Sequence, residues 1–142
     1  MANMLIADTG FWYALINKED RYHSVAMAFL STCKKKLITT WPVITETCYL
    51  LQSRHGTKAT QQFLKIGSLE LFETYSLANS QFPEISKLME KYADLPMDLA
   101  DASLVILAAN LGHGQILSTD QRDFRAYRWK NREPFQNLLL PD

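Results

Sequence analysis

The sequence predicts an α/β fold, a three-layer α/β/α sandwich around a mostly parallel sheet of four to five strands. Three observations predict it. Short apolar runs at 4–7, Leu37–Thr40 and 115–118 have the length of strands buried on both faces. Segments with helical spacing of apolar residues separate these runs, and strands alternating with helices build parallel sheets. Finally, Leu99–Leu111 is apolar nearly all round, which marks a helix buried in the middle of a domain.

Residues 4–7 form the first strand and stop at Asp8-Thr9-Gly10. From Tyr22, apolar positions recur at Val25, Ala26, Phe29, Leu30 and Cys33, a helical stripe that ends in Lys34, Lys35 and Lys36, cations suited to a helix C-terminus. Leu37–Thr40 is the second strand. Pro42 fits the first turn of a helix running to about Arg54, and Gly56 stops it. A helix over 57–66 closes at Gly67, and the alternation over 69–74 predicts a third strand. Phe82, Ile85, Leu88, Met89 and Tyr92 mark the next helix, and Pro96 punctuates before the central one. Gly112 and Gly114 end that helix, 115–118 is the fourth strand, and a fifth is expected near 127–129. The tail from Phe135 carries Leu138, Leu139 and Leu140, which pack on the domain or meet a partner.

At 142 residues the chain suits one domain over 1–142, large enough to bury about two-thirds of its unfolded surface. It is 47% hydrophobic and 21% charged, which excludes a disordered chain. A formal net charge of zero argues against a long non-specific nucleic-acid footprint, yet permits a basic rim around an acidic centre. The first eight residues lack a basic leader, and no apolar run approaches the ~18 residues of a membrane span, so the expectation is a cytoplasmic protein. Cys33 and Cys48 are expected as reduced thiols.

The chemistry lies in the carboxylates. Open α/β sheets bind ligands at the carboxyl ends of their strands. Asp8 ends the first strand, and Asp120 follows the fourth in Ser118-Thr119-Asp120. Asp98 and Asp101, spaced i and i+3, open the central helix on one face, and Glu46 sits one turn into the helix after the second strand. All five should reach one edge. Each has a structural use as well: Asp98 as N-cap with Asp101 at N3, Asp120 and Asp8 as turn or cap residues, Glu46 as a surface residue. Their joint placement outweighs these separate uses. Clustered carboxylates repel and would take up protons unless a divalent cation intervened, and an all-oxygen ligand set favours Mg²⁺ or Mn²⁺.

The chain also resembles a known family. Ile6-Ala7-Asp8-Thr9 with Trp12 and Ala14-Leu15, then Asp20, His23 and Ala26, Glu46, Asp98-Leu99-Ala100-Asp101-Ala102, and Ser118-Thr119-Asp120-Gln121-Arg122-Asp123-Phe124 follow in order. The set is similar to the PIN-domain nucleases, most of all the small VapC-type toxins of toxin–antitoxin pairs. The resemblance implies an endoribonuclease in which Asp8, Glu46, Asp101 and Asp120 form the acidic quartet. It implies Mg²⁺ or Mn²⁺ held chiefly by Asp8 and Asp101, Asp120 binding directly or through water, and Glu46 orienting water or a second ion. Thr9 and Ser118 would supply hydroxyls beside the metal, Asp98 would cap, support or ligate, and Asp123 would hold the loop before Phe124. The implied products are a 5′-phosphate and a 3′-hydroxyl, and the implied partners are RNA, an antitoxin protein and a second copy of the chain.

Arg54, Lys58, Arg122 and Arg125 are candidate phosphate contacts. His23 suits a structural hydrogen bond, and His55 and His113 suit helix ends. Trp12, Tyr13 and Trp41 suit core or interface packing more than base stacking. A phosphatase with an aspartyl nucleophile at Asp8 would want a second Asp two residues on, where Gly10 stands. The remaining alternatives are a PIN nuclease that processes RNA without being a toxin, one acting on structured DNA, and a non-catalytic module that keeps the acidic pocket.

Overall fold

The computed structural model describes residues 3–141. Its elements are β1 (Leu5–Ala7), α1 (Thr9–Ile16), α2 (His23–Thr32), β2 (Leu37–Thr40), α3 (Trp41–His55), α4 (Thr57–Ser68), β3 (Phe72–Tyr75), α5 (Phe82–Lys91), α6 (Leu99–Leu111), β4 (Gln115–Leu117), α7 (Gln121–Ala126), β5 (Arg128–Trp129), β6 (Glu133–Pro134) and β7 (Gln136–Asn137). Five strands pair in parallel in the order β3-β2-β1-β4-β7, flanked by helices. This is the predicted α/β/α sandwich. No helix among the described residues is long and apolar enough to cross a membrane.

β1 and β2 are buried along their whole length, as strands covered on both faces must be. β2 therefore hides two hydroxyls, and both are satisfied. Thr39 donates to the Ala7 carbonyl at 2.7 Å, and Thr40 lies 2.6 Å from the Ser103 hydroxyl while its oxygen caps α3 at Val43 N. α6 is buried on nearly every side, and Gly112 ends it in the left-handed region at φ 82°. Trp12 packs against Phe11, Phe63 and Phe72 with ring centroids 4.7–5.6 Å apart, tying α1 to α4 and β3.

Several elements differ from expectation. The strand expected near 127–129 is β5, and it does not join the main sheet. It forms a two-residue antiparallel ladder with β6, because Lys130 and Asn131 adopt φ 50° and 64° and turn the chain back. The fifth strand of the sheet is β7 in the tail, held on β4 by Gln136 N to Gly114 O and Leu138 N to Ile116 O, each 2.8 Å. Leu139 is buried, so the tail packs on the domain. The third strand starts at Phe72, since α4 continues through Gly67, and Leu69 and Leu71 face solvent around a turn at Glu70. α1 and α7 were not assigned from the pattern: α1 is apolar without a period, and α7 spans only six residues. Cys33 and Cys48 are free thiols.

Candidate active site

Asp8 leaves β1 at its carboxyl end and caps α1, its Oδ1 accepting from Thr9 N at 2.7 Å. Its Oδ2 accepts from the Ser118 hydroxyl at 2.9 Å, and the same hydroxyl oxygen accepts from Asp120 N at 2.9 Å. One serine thus joins the first and last acids of the set. Burial pushes the Asp8 carboxyl up to about 7, against the two hydrogen bonds that favour its charge, and Glu46 and Asp120 push it further.

Glu46 projects from α3, and its Oε1 accepts from the Thr9 hydroxyl at 2.6 Å. Burial first, then neighbouring Asp98, raises its pKa. Asp98 is exposed and caps α6 through Asp101 N at 2.8 Å, the capping role foreseen, while its charge also acts on Glu46 and Asp101. Burial, then Asp8 and Asp98, push Asp101 up to about 8, although the Tyr127 hydroxyl donates to its Oδ2 at 2.9 Å. Asp120 caps α7 by accepting from Asp123 N at 3.1 Å, and burial raises it too.

Asp8, Thr9, Glu46, Asp98, Asp101 and Asp120 line one open cleft of about 420 Å³ at the carboxyl edge of the sheet. Ser118 lies buried behind it. Among the described residues no three acids, His or Cys are drawn into a ready-made ion cluster, so the carboxylates share a cleft but stand apart. The donor chemistry fits a hard divalent cation nonetheless. The donors are all oxygen, and Asp8, Glu46, Asp101 and Asp120 are each buried or half-buried with raised pKa values. Two cations sit on the rim of the cleft, held by residues that line it: Arg54 lies 5.3 Å over the Tyr13 ring, while Arg122 bonds Asp123 and the Leu95 carbonyl, each at 3.2 Å.

Gly10 also lines the cleft, and a Cβ there would collide with the Thr119 hydroxyl. The position where an aspartyl phosphatase needs its second Asp would therefore take a side chain only if Thr119 shifted. Among the other residues weighed, Trp12 is core and Trp41 is half exposed. His23 bonds the Ala14 carbonyl through Nδ1 at 2.8 Å, a structural role from the first turn of α2. His55 ends α3, as expected, and sits 2.8 Å from the Tyr13 hydroxyl. Tyr127 and Asn137 were missed. Asn137 accepts from Ser118 N, Leu139 N and Leu140 N and donates to Ser118 O, so the tail grips the loop that carries Asp120.

The family model of the PIN domain matches residues 5–130. The chain belongs to the PIN-domain family. Within it, the chain is 25% identical over 124 residues to Ribonuclease VapC26 of Mycobacterium tuberculosis, covering 87% of this chain and 92% of that one. The fold is also that of the crystal structure of Mycobacterium tuberculosis VapC20, a Sarcin-Ricin loop cleaving toxin. There the TM-score is 0.76 at 19% identity, covering 83% of this chain and 91% of the other. β7 and the Asn137 clasp on this PIN domain lie beyond the matched residues.

Proposed function

We propose that this PIN domain is a divalent-metal-dependent endoribonuclease and the toxin of a toxin–antitoxin pair. The observation that carries the reading is the arrival of Asp8, Glu46, Asp101 and Asp120, from four separate segments, in one cleft at the sheet's carboxyl edge. The likeness to a ribonuclease over most of both chains supports it.

Asp8, Asp101 and Asp120, with Glu46, would hold Mg²⁺ or Mn²⁺. Such an ion supplies charge neutralisation at the phosphoryl oxygens and makes water more acidic. The chain's own residues do the rest. Thr9 holds Glu46 where it orients the attacking water, Ser118 fixes Asp8 against the 118–120 loop, and Tyr127 fixes Asp101. The water oxygen bonds to phosphorus, the P–O3′ bond breaks, and the proton passes to O3′, leaving 5′-phosphate and 3′-hydroxyl ends. The same reading brings an antitoxin that covers the cleft and a second copy of the chain. Exposed Trp41, Tyr49 and Leu99 beside Glu46 and Asp98 suit such a covered face.

End-labelled single-stranded and structured RNA, incubated with Mg²⁺, Mn²⁺ or excess chelator, tests the activity. Cleavage only with metal, abolished in Asp101→Asn, is the expected result. Cleavage that survives chelator, or absence of both cleavage and calorimetric metal binding, overturns the proposal. Relief of growth arrest on co-expression with the adjacent reading frame tests the pairing.

A further inference from the structure

We infer that a basic groove between α5, α6 and the β5–β6 hairpin holds the RNA strand flanking the cleaved phosphate. The inference rests on the nuclease reading for its ligand. The groove, about 490 Å³, is lined by Lys87 and Lys91 of α5, Arg128 of β5 and Lys130 of the hairpin turn, with Glu84 as the one acid among its lining residues. In a chain of zero net charge this is a concentrated imbalance.

The cations are not neutralised locally. The ion pairs seen among the described residues are Lys36–Glu73, Arg122–Asp123 and Arg132–Glu133, none of which involves the groove. Lys87 and Lys91 stand i and i+4 on one helix face, so both ammonium groups can reach one strand of phosphates. Arg128 is set rigidly, its guanidinium donating to the carbonyls of Arg125 at 2.6 Å and Tyr127 at 2.9 Å. The Lys130 ammonium lies 5.8 Å over the Trp129 ring, and Lys91 lies 5.2 Å over Tyr92.

The groove and the acidic cleft border the same helix. Asp101, Val105 and Ala109 are spaced by four along α6 and so form one stripe, with Asp101 in the cleft and the other two in the groove. One helical turn, about 5.4 Å, separates neighbours on that stripe. Tyr127, whose hydroxyl reaches Asp101, is followed directly by Arg128 in the groove. The groove begins about one helical turn from Asp101, within reach of a strand that leaves the cleft. Leu88 and Val105, the large aliphatic residues of its lining, are 8% and 3% exposed and so present little surface to an apolar anchor, while the lysines reach solvent. Flexible lysines suit phosphates, which position a strand without reading its bases.

The test measures anisotropy of a labelled single-stranded RNA across a salt series, with chelator present so that nothing is cleaved. The full chain is compared with Lys87→Gln/Lys91→Gln/Lys130→Gln and with Lys34→Gln/Lys35→Gln/Lys65→Gln, which removes equal charge elsewhere. The groove variant should bind at least ~10-fold more weakly and flatten the log–log salt slope by about 2, at about 0.7 per lost phosphate contact. The other variant should hold both within about twofold. Equal losses in both variants, or none in either, overturn the inference, as does polyglutamate binding the unmodified chain as tightly as RNA, which would mark an acidic protein site. If the unmodified chain cleaves RNA with metal while the groove variant keeps its slope, the groove inference fails alone. If the unmodified chain never cleaves but the slope flattens only in the groove variant, the nuclease reading fails and the groove stands as an RNA site.

Discussion

Single hydroxyls hold the acids of this cleft in place, which makes their removal informative. Tyr127→Phe keeps a fully buried ring packed against Tyr92 and Phe124 and deletes the donor to Asp101 Oδ2. The loss of that hydrogen bond should lower folding stability by no more than about 1 kcal/mol. It should nonetheless weaken Mn²⁺ binding, measured by calorimetry, and reduce cleavage about tenfold, since one energetic unit of ~1.4 kcal/mol on positioning is a factor of ten. Unchanged metal affinity would reduce Tyr127 to packing. Asp101→Asn should act in opposite directions on the two properties. It removes a carboxylate that is raised to about 8 by burial and its neighbours, so the metal-free protein should gain about 1 kcal/mol in urea denaturation at pH 8 while cleavage is abolished. A destabilised Asp101→Asn protein would show that the cleft is not electrostatically strained.

At the scale of elements, the last strand does the least expected work. β7 is two residues long, yet Asn137 on it satisfies both backbone groups of Ser118, and Ser118 in turn bonds Asp8 and Asp120 N. Asn137→Ala strands several backbone groups and should cost about 1–3 kcal/mol in chemical denaturation. It should also lower kcat more than the stability loss explains, because the 118–120 loop is freed. Full activity in a folded Asn137→Ala protein would confine the tail to stability. The helix starts were more legible. Asp98 caps α6, a placement that follows from an acid preceding a helical run, whereas Asp120 caps the six-residue α7, too short to show a period. The β5–β6 hairpin was not legible, because its turn depends on positive φ at Lys130 and Asn131, residues without the glycine that usually announces such a turn.

For the whole molecule, the cleft couples folding to pH. Asp8 at about 7 and Asp101 at about 8 lie above their unfolded value of 3.8. Between the unfolded and folded values the native state binds more protons than the unfolded chain, so stability falls as pH rises. The stability these two groups provide is complete below about 4 and lost through about 8. Melting temperature of the metal-free protein should therefore drop between pH 6 and 8.5, and Mg²⁺ or Mn²⁺ should restore it most strongly at the alkaline end, where the ligands are ionised. A metal effect that is equal at both ends of that range would count against ligation by Asp8 and Asp101.

Periodicity and strand–helix alternation were enough to determine the α/β/α class, the buried α6 and the edge at which Asp8, Glu46, Asp101 and Asp120 meet. The reason is that side-chain direction within an element follows from spacing, and all parallel strands present their carboxyl ends together. The partners of those acids were decided only by tertiary structure. The Thr9–Glu46 bond spans 37 residues, the Tyr127–Asp101 bond 26 and the Ser118–Asp8 bond 110. Contacts at such separations depend on how helices and loops settle over the sheet, which no local pattern encodes. The same holds for the basic groove, whose cations come from α5, β5 and a turn that meet only once the chain has folded.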